Sequence, residues 1–243
     1  MPVAAIGDRL RLAPHVRACR SDDQVILLDL QRGHYLGISP QQADALTGQV
    51  DDWPASLERM GSAAPIPAAE GLKRHLLSRG LLIPTSSDAA QQTTIPESTS
   101  TLPVDVEAAR SAVTALRLAR LLRCTAVTAL WMRYRSLQSI AMAVAARRDR
   151  HQADTTSQSS LDLTRDAVAA YDRLRPLALT KHNRCVHDSL TLMAFLALEG
   201  VFPHWVIGVK TGPFGAHSWV QSGSIVLNDL HENVRRYRPI LVV

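Results

Sequence analysis

Short blocks of apolar residues open the chain, RLAPHVRAC, QVILLDL and HYLGIS between residues 11 and 39, separated by polar breaks at Ser21-Asp22-Asp23 and Gln31-Arg32-Gly33. Blocks of that length bounded by turn-forming residues predict three antiparallel strands over residues 9–39. The pattern then turns helical. Ser39 is a good N-cap and Pro40 suits the first helical position, which predicts a helix to about Thr47. A second short helix is expected around Trp53 to Met60, and a third from roughly Pro67 to Arg79, stopped by Gly80. Three strands and three short helices predict a small winged-helix-like domain over residues 1–85.

From Thr85 to Pro103 the sequence TSSDAAQQTTIPESTSTLP is poor in large apolar residues. Such a stretch buries too little surface to offset the entropy of ordering, so residues 86–103 read as a linker to a second domain, 104–243. Helical spacing then recurs from Val104 to about Arg150, through Val113, Leu116, Leu118, Leu121 and Leu122 and on to Ile140 and Val144. His151 to Ser160 is polar and reads as a loop, and Asp162 to Arg175 as another helix. The segment Cys185 to Glu199 is apolar nearly all round, which marks a buried helix ended by Gly200. Beyond it HWVIGVKTG, GAHSWVQ and SIVLND read as strands. Helices followed by an antiparallel sheet make the fold class α+β.

Composition narrows the function. A chain of 243 residues with 46% hydrophobic residues forms a packed core. The net charge of +5 comes mostly from arginines spread over predicted helices, as on a solvated surface. Aromatics are 5% of the chain and interleave with no Lys/Arg run, so nucleic acid is not the expected partner. Cys19, Cys124 and Cys185 are odd in number, far apart and in no CxxC pair, which argues against a disulfide framework or structural zinc and for a reducing compartment. The N-terminus lacks a basic start followed by an apolar core, and no apolar run reaches the roughly 18 residues of a membrane span. The chain therefore reads as cytoplasmic, with no membrane partner.

Cys185 begins the buried helix, behind Lys181, His182, Asn183 and Arg184. A helix N-terminus and a neighbouring arginine lower a thiol's pKa, as a nucleophile requires. Position alone fits a structural cysteine equally well; His217 and Asp229 shift that balance. Their strands join across Gln221-Ser222-Gly223-Ser224, and a three-residue loop, Ser222 to Ser224, sets Asp229 opposite His217. A two-residue loop sets Asn228 there instead. Either gives the imidazole an orienting partner. A cysteine at a buried helix start, then a strand histidine, then an acid on the next strand, is the chain order of papain-like and transglutaminase-like cysteine proteases. The Cys185 N–H is a candidate oxyanion donor. Trp219, two residues from His217, shares its face and is a candidate cleft wall. A metal cluster of His182, Cys185, His187 and Asp188 is the weaker alternative, because positions two apart on a helix do not face one ion; His187 is expected to be an exposed first-turn residue.

The segments RCVHDSL from Arg184, VIGVK from Val206, PFGAHSWV from Pro213 and VLND from Val226 resemble the lasso peptide biosynthesis B proteins, leader peptidases with a transglutaminase-like fold. HYLGIS followed by SPQQADAL similarly resembles the RiPP recognition element, related to the small chaperone of pyrroloquinoline quinone biosynthesis (PqqD-like). The resemblance implies a fused protein whose residues 1–85 capture the leader of a precursor peptide as an added strand beside residues 34–39 and against 67–79. Leu36, Ile38, Leu72 and Leu76 are the implied leader contacts, although apolar residues at such spacing also suit a core. It further implies that Cys185, His217 and Asp229 cut leader from core peptide without a cofactor of their own. The freed amine then passes to an ATP-dependent, asparagine-synthetase-like cyclase that closes a macrolactam. His187 and Asp188 depart from the usual pattern after the cysteine. An acyltransferase using the same three residues, or a non-catalytic leader-binding chaperone, are the competing readings.

Overall fold

The computed structural model describes residues 9–54, 66–85, 94–103, 114–151, 158–178 and 185–243. It divides into two compact units, Met1–Gln92 with Val209–Gly215, and Thr93–Gly208 with Ala216–Val243.

In the first unit, β2 (Val16–Ser21), β3 (Gln24–Asp29) and β4 (His34–Ile38) form an antiparallel meander in that order, with Leu27 opposite both Ala18 and Leu36. The block RLAPHVRAC is not one strand. It breaks at Ala13-Pro14, because proline has no N–H to give a ladder. Its first part, β1 (Leu10–Leu12), joins a second sheet, parallel to β5 (Val50–Asp51) and antiparallel to β6 (Leu82–Pro84). Helix α1 (Pro40–Leu46) begins after Ser39 as its proline dictates, and α2 (Ile66–Ser78) ends before Gly80, whose φ of +70° suits glycine. Apolar residues of both sheets and both helices share one core, including Val25, Leu27, Ile38, Leu46 and Leu76. Trp53 seals it and donates its indole N–H to the Ala43 carbonyl at 2.9 Å. The helix expected around Trp53 to Met60 falls mostly on residues 55–65, outside the described residues.

In the second unit, α3 (Ala115–Tyr134) and α4 (Leu137–Asp149) replace one long helical stretch. They part at Arg135-Ser136, where the Ser136 side chain caps α4 by accepting the Ser139 N–H. Helices α3 and α5 (Gln158–Ala178) pack on each other and on α6 (Cys185–Leu198), which is enclosed through most of its length, including Leu192, Phe195 and Leu196. Arg117 joins Asp166 of α5 to Glu199 just beyond α6, at 2.7 and 2.9 Å, and Arg120 binds Glu199 at 2.9 Å. Part of the arginine content thus holds the helices together.

The sheet of this unit runs β11 (Arg238–Val242), β8 (His204–Thr211), β9 (Phe214–Ser222), β10 (Ile225–Val226), β7 (Ser100–Thr101). Residues 94–103, assigned to a linker by composition, supply its edge strand β7, parallel to β10. Two apolar residues suffice: Leu102 is buried, and Ile95 packs on the cluster of Val206, Trp219, Val226 and Val234. Gly208 lets β8 pass under that cluster, since a Cβ there would stand 2.8 Å from the Trp219 ring. No helix among the described residues is long and apolar enough to cross a membrane.

Candidate active site

Cys185 is the first residue of α6 and is half-buried, whereas Cys19 and Cys124 are buried. The first N–H groups of a helix have no intrahelical partner and carry the positive end of its dipole. The sulfur uses that property: the backbone N–H groups of Val186 and of Ser218, on the neighbouring β9, both hydrogen-bond to it. Lys181 to Arg184 lie outside the described residues.

His217 projects from β9 beside Ser218 and hydrogen-bonds to the Cys185 thiol. Its Nε2 meets Asp229 Oδ2 at 2.5 Å, which leaves Nδ1 for the sulfur. Asp229 is fixed in turn, its Oδ1 accepting the Leu230 N–H at 2.7 Å and the Asn233 Nδ2 at 3.1 Å. Three residues distant in sequence therefore form one hydrogen-bonded chain.

The route to that contact differs from the predicted ladder. Ile225 pairs with Ser222 and Val226 with Gln221, so the loop is the two-residue Gly223-Ser224, and neither Asp229 nor Asn228 lies opposite His217 in register. The pairing stops soon after Val226, and Asp229 reaches His217 from the bend that leads into a short helix, α7 (His231–Val234). Asn228 holds this bend: its Oδ1 accepts the Val220 N–H at 2.8 Å and its Nδ2 donates to Ser189 Oγ of α6 at 3.2 Å. Asn233, four residues beyond Asp229, was signalled only by helical spacing on a segment whose helicity the sequence does not announce.

The electrostatics follow from these contacts. Burial raises the Cys185 thiol, but the bond and charge of His217 and the two backbone N–H groups outweigh it and bring it below its ordinary value. Bonds to Asp229 and to Cys185 raise His217 to about 9 despite its burial. Burial pushes Asp229 up, yet its bonds to His217, Asn233 and the Leu230 N–H hold it below the usual carboxylate range. These shifts favour a thiolate beside an imidazolium beside a carboxylate, a nucleophile with its proton donor alongside. Side chains of His217 and Asp229 remain 24% and 20% exposed, so the group is open to solvent.

Aromatic rings back the histidine, Tyr237 at 5.3 Å and Trp219 at 6.2 Å between centroids. Trp219 is only 2% exposed and donates to Gln221 Oε1, so it is the buried floor behind His217, not the wall of a cleft. His187 is buried, contrary to its expected place on an exposed first turn, in a helix against which α3 and α5 pack. Asp188, one residue on, is buried too and accepts the Tyr171 hydroxyl at 2.8 Å and Arg175 Nε at 3.0 Å. Nothing in the sequence singled out that network, which anchors the first turn of α6. Among the described residues no group of three or more His, Cys, Asp or Glu is arranged to hold a metal ion.

In the first unit, the four predicted leader contacts separate. Ile38 and Leu76, at 2% and 0% exposure, belong to the core, whereas Leu36 of β4 and Leu72 of α2 are half-buried at its margin.

Comparison with known families finds a transglutaminase-like superfamily model matching residues 121–242, from within α3 to the last residue of β11. The chain belongs to the transglutaminase-like superfamily. The superfamily match spans Cys185, His217 and Asp229. The chain is also 44% identical to the microcin J25-processing protein McjB of Escherichia coli over 45 residues, 18% of this chain and 22% of that protein. The match thus spans about a fifth of that relative's length, and it agrees with the resemblance to lasso peptide biosynthesis B proteins. No solved structure matches the chain.

Proposed function

We propose that the protein is a cysteine leader peptidase of lasso peptide biosynthesis, with Cys185 as nucleophile, His217 as general acid and base, and Asp229 as the group that orients and charges the imidazole. The observation that carries this reading is the hydrogen-bonded chain from the Cys185 sulfur through His217 to Asp229, with the thiol lowered and His217 raised to about 9. In the reaction the thiolate attacks the carbonyl carbon of the scissile peptide bond. The imidazolium gives its proton to the departing amine as the C–N bond breaks, leaving a thioester on Cys185 and a neutral His217. Water then adds to the thioester, His217 takes its proton, and the carboxylic acid of the leader leaves with the thiolate restored. The Cys185 backbone N–H, at the start of α6, serves as the donor to the developing oxyanion.

Residues 1–85 act in this proposal as a recognition element of winged-helix kind, and residues 104–243 as the peptidase. The leader adds a strand to the edge of β4, with Leu36 and Leu72 as its apolar contacts; Ile38 and Leu76 support them from the core. The core peptide, with its new free amine, goes to an asparagine-synthetase-like cyclase. That partner, and not this chain, consumes ATP.

Mass spectrometry of a lasso precursor peptide incubated with the protein and with Cys185→Ala tests the reading. Release of intact leader by the wild type, lost at least about a thousandfold in the variant, is the expected result. Cleavage that survives Cys185→Ala removes the proposed nucleophile. A leader whose new terminus is joined to an added amine makes the protein an acyltransferase, and binding without cleavage makes it a chaperone.

A further inference from the structure

The margin between β4 and α2 is not uniform along its length. Leu72 and His75 lie three residues apart on one flank of α2, and Arg79, seven residues from Leu72, follows directly after its last residue. Arg32, in the turn before β4, reaches the Arg79 carbonyl with Nη1 at 3.4 Å, which brings the start of β4 to the end of α2. His34 opens β4 two residues before Leu36 and on the same face. One end of the groove is therefore apolar, at Leu36 and Leu72, and the other carries Arg32, His34, His75 and Arg79, all exposed.

The acid nearest this end is already committed. Asp29 is 6% exposed, and its carboxylate accepts the backbone N–H groups of Gln31 and Arg32 and the Arg32 guanidinium at 2.9, 3.1 and 3.3 Å. Among the described residues no carboxylate is paired with His34, His75 or Arg79. Some of this charge suits the negative end of the α2 dipole. That accounts for His75 and Arg79, and Asp29 with the Arg79 carbonyl holds Arg32, which leaves His34, on the strand side of the same groove, without such an account.

Building on the leader-capture reading, we propose that this groove selects an acidic side chain in the bound strand, so that the leader carries an Asp or Glu beside its apolar anchor. Spacing sets where. At the helical rise the stretch from Leu72 to the end of α2 and Arg79 just after it covers about 10 Å, and a strand advances about 3.3 Å per residue, so the acid stands two or three residues from the anchor. The two ends divide the labour: the apolar end supplies most of the affinity, and the basic end fixes the direction and register of an otherwise slippery edge pairing.

Selection of a displayed library of random 12-residue peptides against the full-length protein tests this without knowledge of the precursor. The expected result is enrichment of peptides with Asp or Glu two or three residues to one side of an apolar pair. His75→Glu with Arg79→Glu should weaken such a peptide about tenfold, and Lys in place of its acid should restore binding to that variant. Arg79→Gln, milder for the helix, should weaken it two- to fivefold, with an unchanged thermal melt excluding misfolding. Enriched peptides that lose binding in Leu72→Lys but carry no acid preference overturn this proposal and leave leader capture standing. Absence of any enriched peptide sensitive to Leu36 or Leu72 overturns both.

Discussion

The margin of β4 and α2 in one unit and the Cys185 group in the other are both assembled from a strand and a helix, yet they differ in what the fold does with their side chains. At Cys185 the elements converge polar groups into apolar surroundings, and each of them is tied by a directional bond: sulfur to imidazole, imidazole to Asp229, Asp229 to Asn233. At β4 the same kinds of element present a backbone edge and half-buried apolar residues. A reactive group is held by contacts visible within the free protein, whereas the contacts of a binding edge are completed only by its ligand.

That contrast predicts unequal sensitivities. Asp229→Asn removes the charge that lifts His217 to about 9 while keeping its shape, and should lower turnover by about a hundred- to ten-thousandfold with little change in leader affinity. Steady-state kinetics on a precursor peptide check this, and a loss confined to KM would place Asp229 outside the chemistry. Leu72→Lys should do the opposite, raising KM about tenfold with turnover and the alkylation rate of Cys185 unchanged. A fall in turnover there would mean that the two regions are not separable. Asn228→Ala should have the smallest effect on rate, a few-fold, because it acts only by releasing the bend before Asp229. It should cost about 1–3 kcal/mol in chemical denaturation, since the Val220 N–H and Ser189 lose their partner.

The same contrast explains what was legible in the sequence. Cys185 stood out because a thiol at the start of an apolar helix is unusual, and His217 with Asp229 because polar residues interrupt strand blocks. Their connection differs from either predicted register. A three-residue loop would set Asp229 opposite His217 and a two-residue loop Asn228, whereas the turn at Gly223-Ser224, with Gly223 at φ +55°, sets neither there, and Asp229 reaches His217 after the ladder has ended. Strand RPILV at Arg238–Val242 and the short helix carrying Asn233 were too brief for periodicity to declare. Burial was read least well: His187 looks exposed on a helical wheel of α6 alone, and the enclosure by α3 and α5 is a tertiary fact. For the same reason Ile38 and Leu76 could not be told from Leu36 and Leu72, since all four obey one hydrophobic pattern.

The hydrogen-bonded Cys185–His217 pair also links chemistry to pH. Because the folded-state value of His217 is raised, its contribution to stability is complete below the ordinary imidazole value of 6.5 and is lost as pH rises through about 9. The proton available to the leaving amine is lost over the same interval. The most direct test is the rate of Cys185 alkylation by iodoacetamide from pH 4 to pH 10, with the modified residue identified by mass spectrometry, in the wild type and in His217→Ala. The account predicts a wild-type thiolate that persists below the ordinary thiol value of 9.0, a second inflection near pH 9 as His217 loses its proton, and a single thiol titration at or above the ordinary value in His217→Ala. Coincident profiles for the two proteins would contradict it, because the thiolate would then owe nothing to the histidine.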